Sequence, residues 1–314
     1  ATIVEQMRKK TKQIVLAIGD GANDVGMILK ADVGVGISGK EGRQAVLVSD
    51  YAISQFKFLK KLLLVHGRLN FYRNIDLINY SFYKNMTMSF IQFIYACYSS
   101  FSGRTLYDSI LFMTFNVVFT CFPPIVYACL DKDVSIESMM HYPELYDFDN
   151  GKKYLQSYSR FWLNLLLGIF NAFICFYIPY FGMFPYVTQR GKTLSLIDFG
   201  TSVYCSVVIV TNLNLAIKSL YWTWIHHLFI WVSIFIFPVV SIVVAKLDLS
   251  VEFAGSGLSL FTNNTFWITQ ACATILSIVP LVTYYVITNS VSTLLNKVKL
   301  KEHSHKKNTK DPSF

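Results

Sequence analysis

The sequence predicts a mixed fold: the C-terminal end of an α/β domain, followed by an α-helical membrane domain of six transmembrane helices. Three observations carry this. Over residues 1–57, short apolar runs alternate with helical segments, as in an open sheet flanked by helices. Beyond residue 77, six apolar stretches each approach the roughly 20 residues that a bilayer requires. The chain is 53% hydrophobic, 16% aromatic and only 15% charged, which excludes an ordinary soluble domain.

Taken in order, the first part reads as helix (Ile3–Lys12), strand (Ile14–Ile18), acidic turn, helix (Val25–Lys30), strand (Val33–Ile37), helix (Gly42–Val48) and strand (Tyr51–Ile53). A 57-residue piece is marginal as an independent fold, so residues 1–57 read as the end of a larger domain. The chain opens on Ala1 without an initiator Met, and Ala1–Lys12 has no apolar core of a signal peptide. It therefore reads as a fragment or a processed piece.

From Phe56 the pattern becomes one long helix. Phe58, Leu62, Leu63, Val65 and Leu69 form its apolar face, with Lys57, Lys60, Lys61, Arg68 and Arg73 around it. Residues 58–77 read as a stalk entering the bilayer, the alternative being a helix lying on the membrane surface. The spans follow within 78–288, at about Ile78–Phe101, Tyr107–Leu130, Phe161–Phe181, Asp198–Ile217, Trp222–Ala245 and Phe266–Ile287. The residual segment, 289–314, is a basic tail.

An even number of spans leaves both ends on one side. That side holds the N-terminal segment, Lys132, Lys152, Lys153, Arg160, Lys218 and the tail lysines. The other holds Arg104, Arg190, Lys192 and Lys246, so the N-terminal segment and tail are placed in the cytoplasm. The net charge of +9 thus belongs to membrane flanks and not to a nucleic-acid surface. All six cysteines fall inside apolar stretches and read as small hydrophobes, not as a disulfide framework.

Two places carry chemistry. Val15–Ile18 is an apolar run ending in Gly19-Asp20-Gly21-Ala22-Asn23-Asp24, where the glycines permit a tight turn. Asp20 and Asp24 then lie at the C-terminal end of a strand, where open α/β sheets bind ligands. Their carboxylates suit a hard cation such as Mg²⁺, and the Asn23 amide is placed to meet a phosphate oxygen.

The second place is Lys84, inside the first span, where a lysine costs roughly 2.5–3.5 kcal/mol on insertion scales. It either serves function or snorkels to the head groups along its own stem. Asn85 follows it, and Lys84, Met88 and Gln92 share a helical face. On the second span Asn116 and Thr120 share a face just before Pro123-Pro124, whose missing donors free carbonyls and open a kink. These two polar residues either line a groove or bond neighbouring helices. Asp108 is the only carboxylate between Ile78 and Leu130, fewer than a cation pump needs, so a zwitterionic or anionic head group fits better. Asn164, Asn171, Asn212 and Asn214 read as helix-packing residues.

The motifs Gly19-Asp-Gly-Ala-Asn-Asp-Val25, Ala31-Asp-Val-Gly-Val-Gly-Ile-Ser-Gly39, Ser49-Asp-Tyr-Ala-Ile53 and Val65-His-Gly-Arg68 resemble P-type ATPases. Tyr80-Ser-Phe-Tyr-Lys-Asn85, Phe115-Asn116 with Phe119-Thr120, Pro143-Glu-Leu-Tyr146 and Tyr221-Trp-Thr-Trp224 are similar to the type IV, phospholipid-translocating branch, the lipid flippases. The resemblance covers nearly the whole chain except the tail. It implies that residues 1–57 end a haloacid dehalogenase-like phosphorylation domain. It also implies an ATP-driven aspartyl-phosphate cycle that moves an aminophospholipid or similar lipid from the outer to the cytoplasmic leaflet.

By motif, Asp20 would hold Mg²⁺, Asp24 would support it and Asn23 would order the phosphoryl oxygens. Lys84 and Asn85 would couple head-group binding to dephosphorylation, with Asn116 on the lipid route. The family's phosphorylated Asp-Lys-Thr-Gly-Thr motif is not in this sequence, so ATP would be bound mainly by the remainder of the pump. A small two-span glycosylated accessory subunit and a plasma-membrane or endomembrane location are further implications. A cation-transporting P-type ATPase is the alternative. One departure is Asn214, where many relatives would carry a lysine after Asn-Leu.

Overall fold

Residues 1–39, 43–146, 158–183, 195–246 and 260–291 are described by a computed structural model. They fall into two compact units: Ala1–Leu69 together with Met139–His141, and the remaining described residues.

The first unit begins with α1 (Thr2–Thr11), which stops where Lys12 turns left-handed at φ 52°. Strand β1 (Leu16–Gly19), a 3₁₀ turn (Ala22–Asp24), α2 (Val25–Ile28), β2 (Val33–Ile37), α3 (Gln44–Val48) and β3 (Tyr51–Ile53) follow. The strands form a wholly parallel sheet in the order β1-β2-β3, with Leu16 opposite Val33 and Val35 opposite Tyr51. The alternation expected from the sequence is present, with β2 and β3 at the expected bounds and β1 displaced toward Gly19. Ala17, Ile28, Val35 and Ala45 are buried between sheet and helices. Asp32 and Asp50 tie strand ends to neighbouring backbone: Val15 N–H donates to Asp32 at 3.0 Å and Gly34 N–H to Asp50 at 2.8 Å.

A helical run then continues through α4 (Phe58–Lys61), a π-helical segment (Leu62–Gly67) and α5 (Arg68–Tyr98). The expected continuity is present, but the helix that carries the first expected span ends at Tyr98 and not Phe101. Ser100 and Phe101 adopt φ of 54° and 56°, and Phe101 N–H closes back on Ala96 O at 2.8 Å.

Among the described residues, five helices are long and apolar enough to cross a membrane: Ser109–Leu130, Tyr158–Met183, Leu196–Lys218, Trp224–Lys246 and Asn264–Ile287. They agree with the second to sixth expected spans within a few residues. The first expected span lies within α5 and is not among the five, since Asn79, Lys84, Asn85, Thr87 and Gln92 dilute its apolar character. The tail beyond Val291 lies outside the described residues, as do Lys152, Lys153, Arg190 and Lys192, on which part of the orientation rests.

The segment Ser109–Leu130 is not one regular helix. It comprises α6 (Ser109–Thr114), a π turn (Phe115–Phe119) and α7 (Phe122–Leu130). After α8 (Ile136–His141) and a 3₁₀ turn at Pro143–Tyr146 come α9 (Tyr158–Met183), α10 (Leu196–Lys218), α11 (Trp224–Lys246) and α12 (Asn264–Val291). Helix α10 is central: nearly every side chain from Phe199 to Leu215 is buried, with α7, α9, α11 and α12 packed around it. A Ser195 capping box starts it.

Polar side chains join these helices where hydrophobicity offers little drive. Ser206 donates to Gln270 Oε1 at 2.7 Å, while Gln270 Nε2 donates to Ser202 Oγ at 2.9 Å. An aromatic core of Phe115, Phe119, Tyr204 and Phe237 fills the space beside the π turn. The six cysteines are all free.

Gly200 allows α10 to meet the chain before α6, because an added Cβ would overlap the Leu106 carbonyl oxygen. Backbone cannot yield as a flexible side chain does. Gly200→Ala is expected to destabilise the membrane unit by about 2 kcal/mol, read as an earlier loss of folded protein on heating in detergent. An unchanged melting profile would refute that close approach.

Candidate functional site

The acidic turn is built by the end of β1. Asp20 follows the strand immediately and is exposed, Asn23 is exposed within the 3₁₀ turn, and Asp24 is half-buried. Asp24 Oδ2 accepts the Asp20 N–H at 3.2 Å, closing the turn. Gly19 makes that possible, since a Cβ there would overlap the Asp24 side chain. Across the turn, the space beside Gly39 is also close: an added Cβ would lie 3.7 Å from Asp20 Oδ2.

The turn thus offers two carboxylates in a shallow cradle with little covering them. Among the described residues no group of three His, Cys, Asp or Glu side chains surrounds a point. Such a donor set does not enclose an ion by itself. It fits Mg²⁺, which favours one or two carboxylates and completes its shell with water and phosphate oxygens.

In the second unit, Lys84 is buried at 8% exposure. Its Nζ donates to Thr120 Oγ1 at 2.9 Å and to Thr120 O at 3.3 Å. The Tyr80 and Phe115 rings flank the ammonium, each with its centre 5.9 Å away. Both ion pairs among the described residues, Arg8–Asp32 and Lys9–Glu5, lie in the first unit, so no described carboxylate neutralises Lys84. The side chain turns into the protein, toward Thr120.

Its partner exists because of the π turn. Thr120 N–H bonds to Phe115 O at 3.0 Å, and Thr120 Oγ1 donates to the same oxygen at 2.8 Å. The wider turn rotates Thr120 into the core and leaves Asn116 exposed, so the two do not share a face as the 3.6-residue period suggests. Asn85 is exposed as well. Within the described residues the structure joins Lys84 to Thr120 and does not bring Asn85 or Asn116 to the same point. Gln92 is spent elsewhere, its Oε1 accepting Leu106 N–H at 3.3 Å.

Lys218 and Asp131 take roles that the sequence reading missed, whereas Asn164 and Asn171 bond between helices as expected. Lys218, expected in a cytoplasmic loop, ends α10 buried and donates to Asn164 Oδ1 at 2.8 Å, 5.6 Å from the centre of the Tyr83 ring. Asn171 Nδ2 donates to Tyr83 OH at 2.6 Å. Asn214 is buried and faces Tyr83. Asp131 is fully buried just after α7, and its Oδ1 accepts the N–H groups of Leu220 and Tyr221 at 2.9 and 2.8 Å. A carboxylate directly after an apolar span was the available signal for a cap or clasp. Nothing local distinguished Lys218 from a loop lysine.

Comparison with known proteins agrees with this architecture. Residues 46–293 match the family described as Phospholipid-translocating P-type ATPase C-terminal. Phospholipid-transporting ATPase ID of Mus musculus is 38% identical over 293 residues, covering 90% of this chain and 24% of the relative. Phospholipid-transporting ATPase VD of Macaca fascicularis is 42% identical over 244 residues, 76% of this chain and 36% of the relative. Phospholipid-transporting ATPase IH of Homo sapiens is 43% identical over 245 residues, 77% of this chain and 21% of the relative. The chain spans about a quarter of the length of the first of these. With five helices long and apolar enough to cross a membrane among the described residues, and a family match across all of them, this chain is an integral membrane protein that belongs to the phospholipid-translocating P-type ATPases.

Proposed function

We propose that this chain is the C-terminal part of an ATP-driven lipid flippase, moving a phospholipid from the outer to the cytoplasmic leaflet through an aspartyl-phosphate cycle. Residues 1–57 end its haloacid dehalogenase-like phosphorylation domain and residues 58–77 form the stalk. Residues 78–288 carry six spans, with α5 as the first, and residues 289–314 are a cytoplasmic tail. The remainder of the pump supplies the phosphorylated aspartate and most of the ATP site. An accessory subunit and a plasma-membrane or endomembrane location accompany this reading.

The observation that carries it is the buried Lys84 ammonium, which among the described residues is hydrogen-bonded by the neutral Thr120 and flanked by aromatic rings, with no carboxylate paired to it. A cation held without a carboxylate complements the phosphate or carboxylate of a head group. Binding there competes with the Thr120 bonds, which gives the site two arrangements. Asn85 on α5 and Asn116 at the π turn are exposed and available to the lipid route. A cation pump is disfavoured, because Asp108 is occupied as the N-cap of α6 and accepts Ile110 and Leu111 N–H at 2.9 and 3.2 Å.

At the acidic turn, Asp20 and Asp24 would hold Mg²⁺, which supplies charge neutralisation at the transferring phosphoryl group. The residues themselves do the positioning. Asp24 fixes the backbone at Asp20, Gly19 gives the room for that contact, and the exposed Asn23 amide orders phosphoryl oxygens.

The test is ATP turnover by the complete pump in detergent, with phosphatidylserine, phosphatidylethanolamine and phosphatidylcholine added separately and against a panel of cations. One head group is expected to stimulate turnover. Lys84→Ala should raise the lipid concentration for half-maximal stimulation by about tenfold, the scale of a lost hydrogen bond to a charged group. Stimulation by a cation, with indifference to lipid and to Lys84, would overturn the reading.

A further inference from the structure

Pro123 and Pro124 lack the N–H groups that would bond back to Phe119 and Thr120, four residues earlier in each case. Two consecutive carbonyls are therefore left without helical donors in the middle of a span, where bilayer lipid offers none. Both are nonetheless occupied. Lys84 Nζ of α5 takes Thr120 O at 3.3 Å, and Asn212 Nδ2 of α10 takes Phe119 O at 3.1 Å.

Asn212 is fully buried. Its Nδ2 also donates to Val208 O at 2.9 Å, so both amide protons are engaged and the amide orientation is set. A flipped amide would turn its oxygen onto two carbonyl oxygens. The ring of Phe119 is held as well, with its centre 5.9 Å from Tyr204 and 5.3 Å from Phe237.

We propose that Asn212 is a positioning residue for the Lys84 site, anchoring the Phe119 carbonyl so that the next residue, Thr120, keeps its oxygens aimed at Lys84. The proposal rests on the reading of Lys84 as the head-group contact. Of the two donors on the break, only Lys84 carries a charge that a lipid head group can draw away. When it leaves, the Thr120 carbonyl loses its donor, and the break holds its shape only if the neighbouring carbonyl stays fixed. A neutral amide, buried and bonded twice, does not exchange with an anionic head group.

The experiment uses the complete pump and compares Asn212→Leu, Asn212→Ala, Lys84→Ala and the double variant Asn212→Ala/Lys84→Ala. For each, half-maximal lipid, half-maximal ATP and phosphoenzyme formation are measured. Asn212→Leu and Asn212→Ala are expected to raise half-maximal lipid about fivefold, with the ATP dependence and phosphoenzyme level unchanged. On the Lys84→Ala background, Asn212→Ala should add less than about twofold, because residues acting through one contact are not additive. Independent, multiplying effects would overturn the positioning role, as would lipid and ATP parameters that fall together. If Asn212→Leu fails to fold, the smaller Asn212→Ala decides alone. Lys84→Ala without effect on lipid stimulation sinks the head-group reading itself. A Lys84→Ala defect beside a silent Asn212 removes only the inference about Asn212.

Discussion

Replacing Asp20 by Asn in the complete pump is expected to lower ATP turnover by about three orders of magnitude. A metal ion contributes several kcal/mol of charge stabilisation in the transition state, and each 1.36 kcal/mol or so is a factor of ten in rate. Asparagine keeps the size of the side chain and removes the charge that attracts a hard cation. Asp20 is exposed at the end of β1, and its backbone N–H, not its carboxylate, makes the bond that closes the turn. The sheet should therefore survive, and the melting temperature should stay near wild type while the Mg²⁺ dependence weakens. Near-normal turnover at ordinary Mg²⁺ would remove Asp20 from the phosphoryl site.

Asp131→Ala should have the largest effect on stability, about 3–4 kcal/mol, while Asp131→Asn should cost far less. The alanine removes the carboxylate that accepts the Leu220 and Tyr221 N–H groups, two hydrogen bonds to a charged acceptor at about 1.5–3 kcal/mol each. Arg73 Nε also donates to the Asp131 carbonyl at 2.6 Å, and Lys132 Nζ lies 3.8 Å from the centre of the Tyr221 ring. The residue after α7 therefore clasps the connection that follows α10. Asparagine keeps the Oδ1 acceptor.

Burial holds the Asp131 carboxyl above the usual carboxylate range, against the opposing pull of the Tyr221 and Leu220 N–H groups. A raised folded-state value favours the protonated acid. Its stabilising contribution is complete below the ordinary carboxylate pKa and is lost as pH rises through the raised value. The stability of Asp131→Asn relative to wild type should therefore improve from acid toward neutral pH. Heating series in detergent at several pH values would show it, and a difference constant with pH would refute the buried charge.

Much of the fold was legible in the sequence because it rests on local periodicity. Val33–Ile37 and Tyr51–Ile53 are apolar runs between turn residues, and they form β2 and β3 at those bounds. Five spans follow from apolar length alone. The acidic turn was legible too, since Gly19 and Gly21 permit the tight backbone path between Asp20 and Asp24.

The first expected span falls short in apolar character and not in length, because α5 carries polar residues, of which Lys84, Thr87 and Gln92 bond to other segments. The pairing of Asn116 with Thr120 failed where a 3.6-residue period was assumed through a segment that takes the π geometry. The prolines showed in advance that Phe119 and Thr120 would lose their helical donors. They did not show which residues would replace them. Lys84, Thr120 and Asn212 are separated by 36 and 92 positions along the chain. Sequence alone determined where strands, spans and the acidic turn lie, since those follow from neighbours a few residues apart. Only the tertiary structure decided that Lys84 faces Thr120, that Asn212 caps Phe119 and that Lys218 is buried, because a carbonyl left open in a membrane is satisfied by whichever donor the packing brings to it.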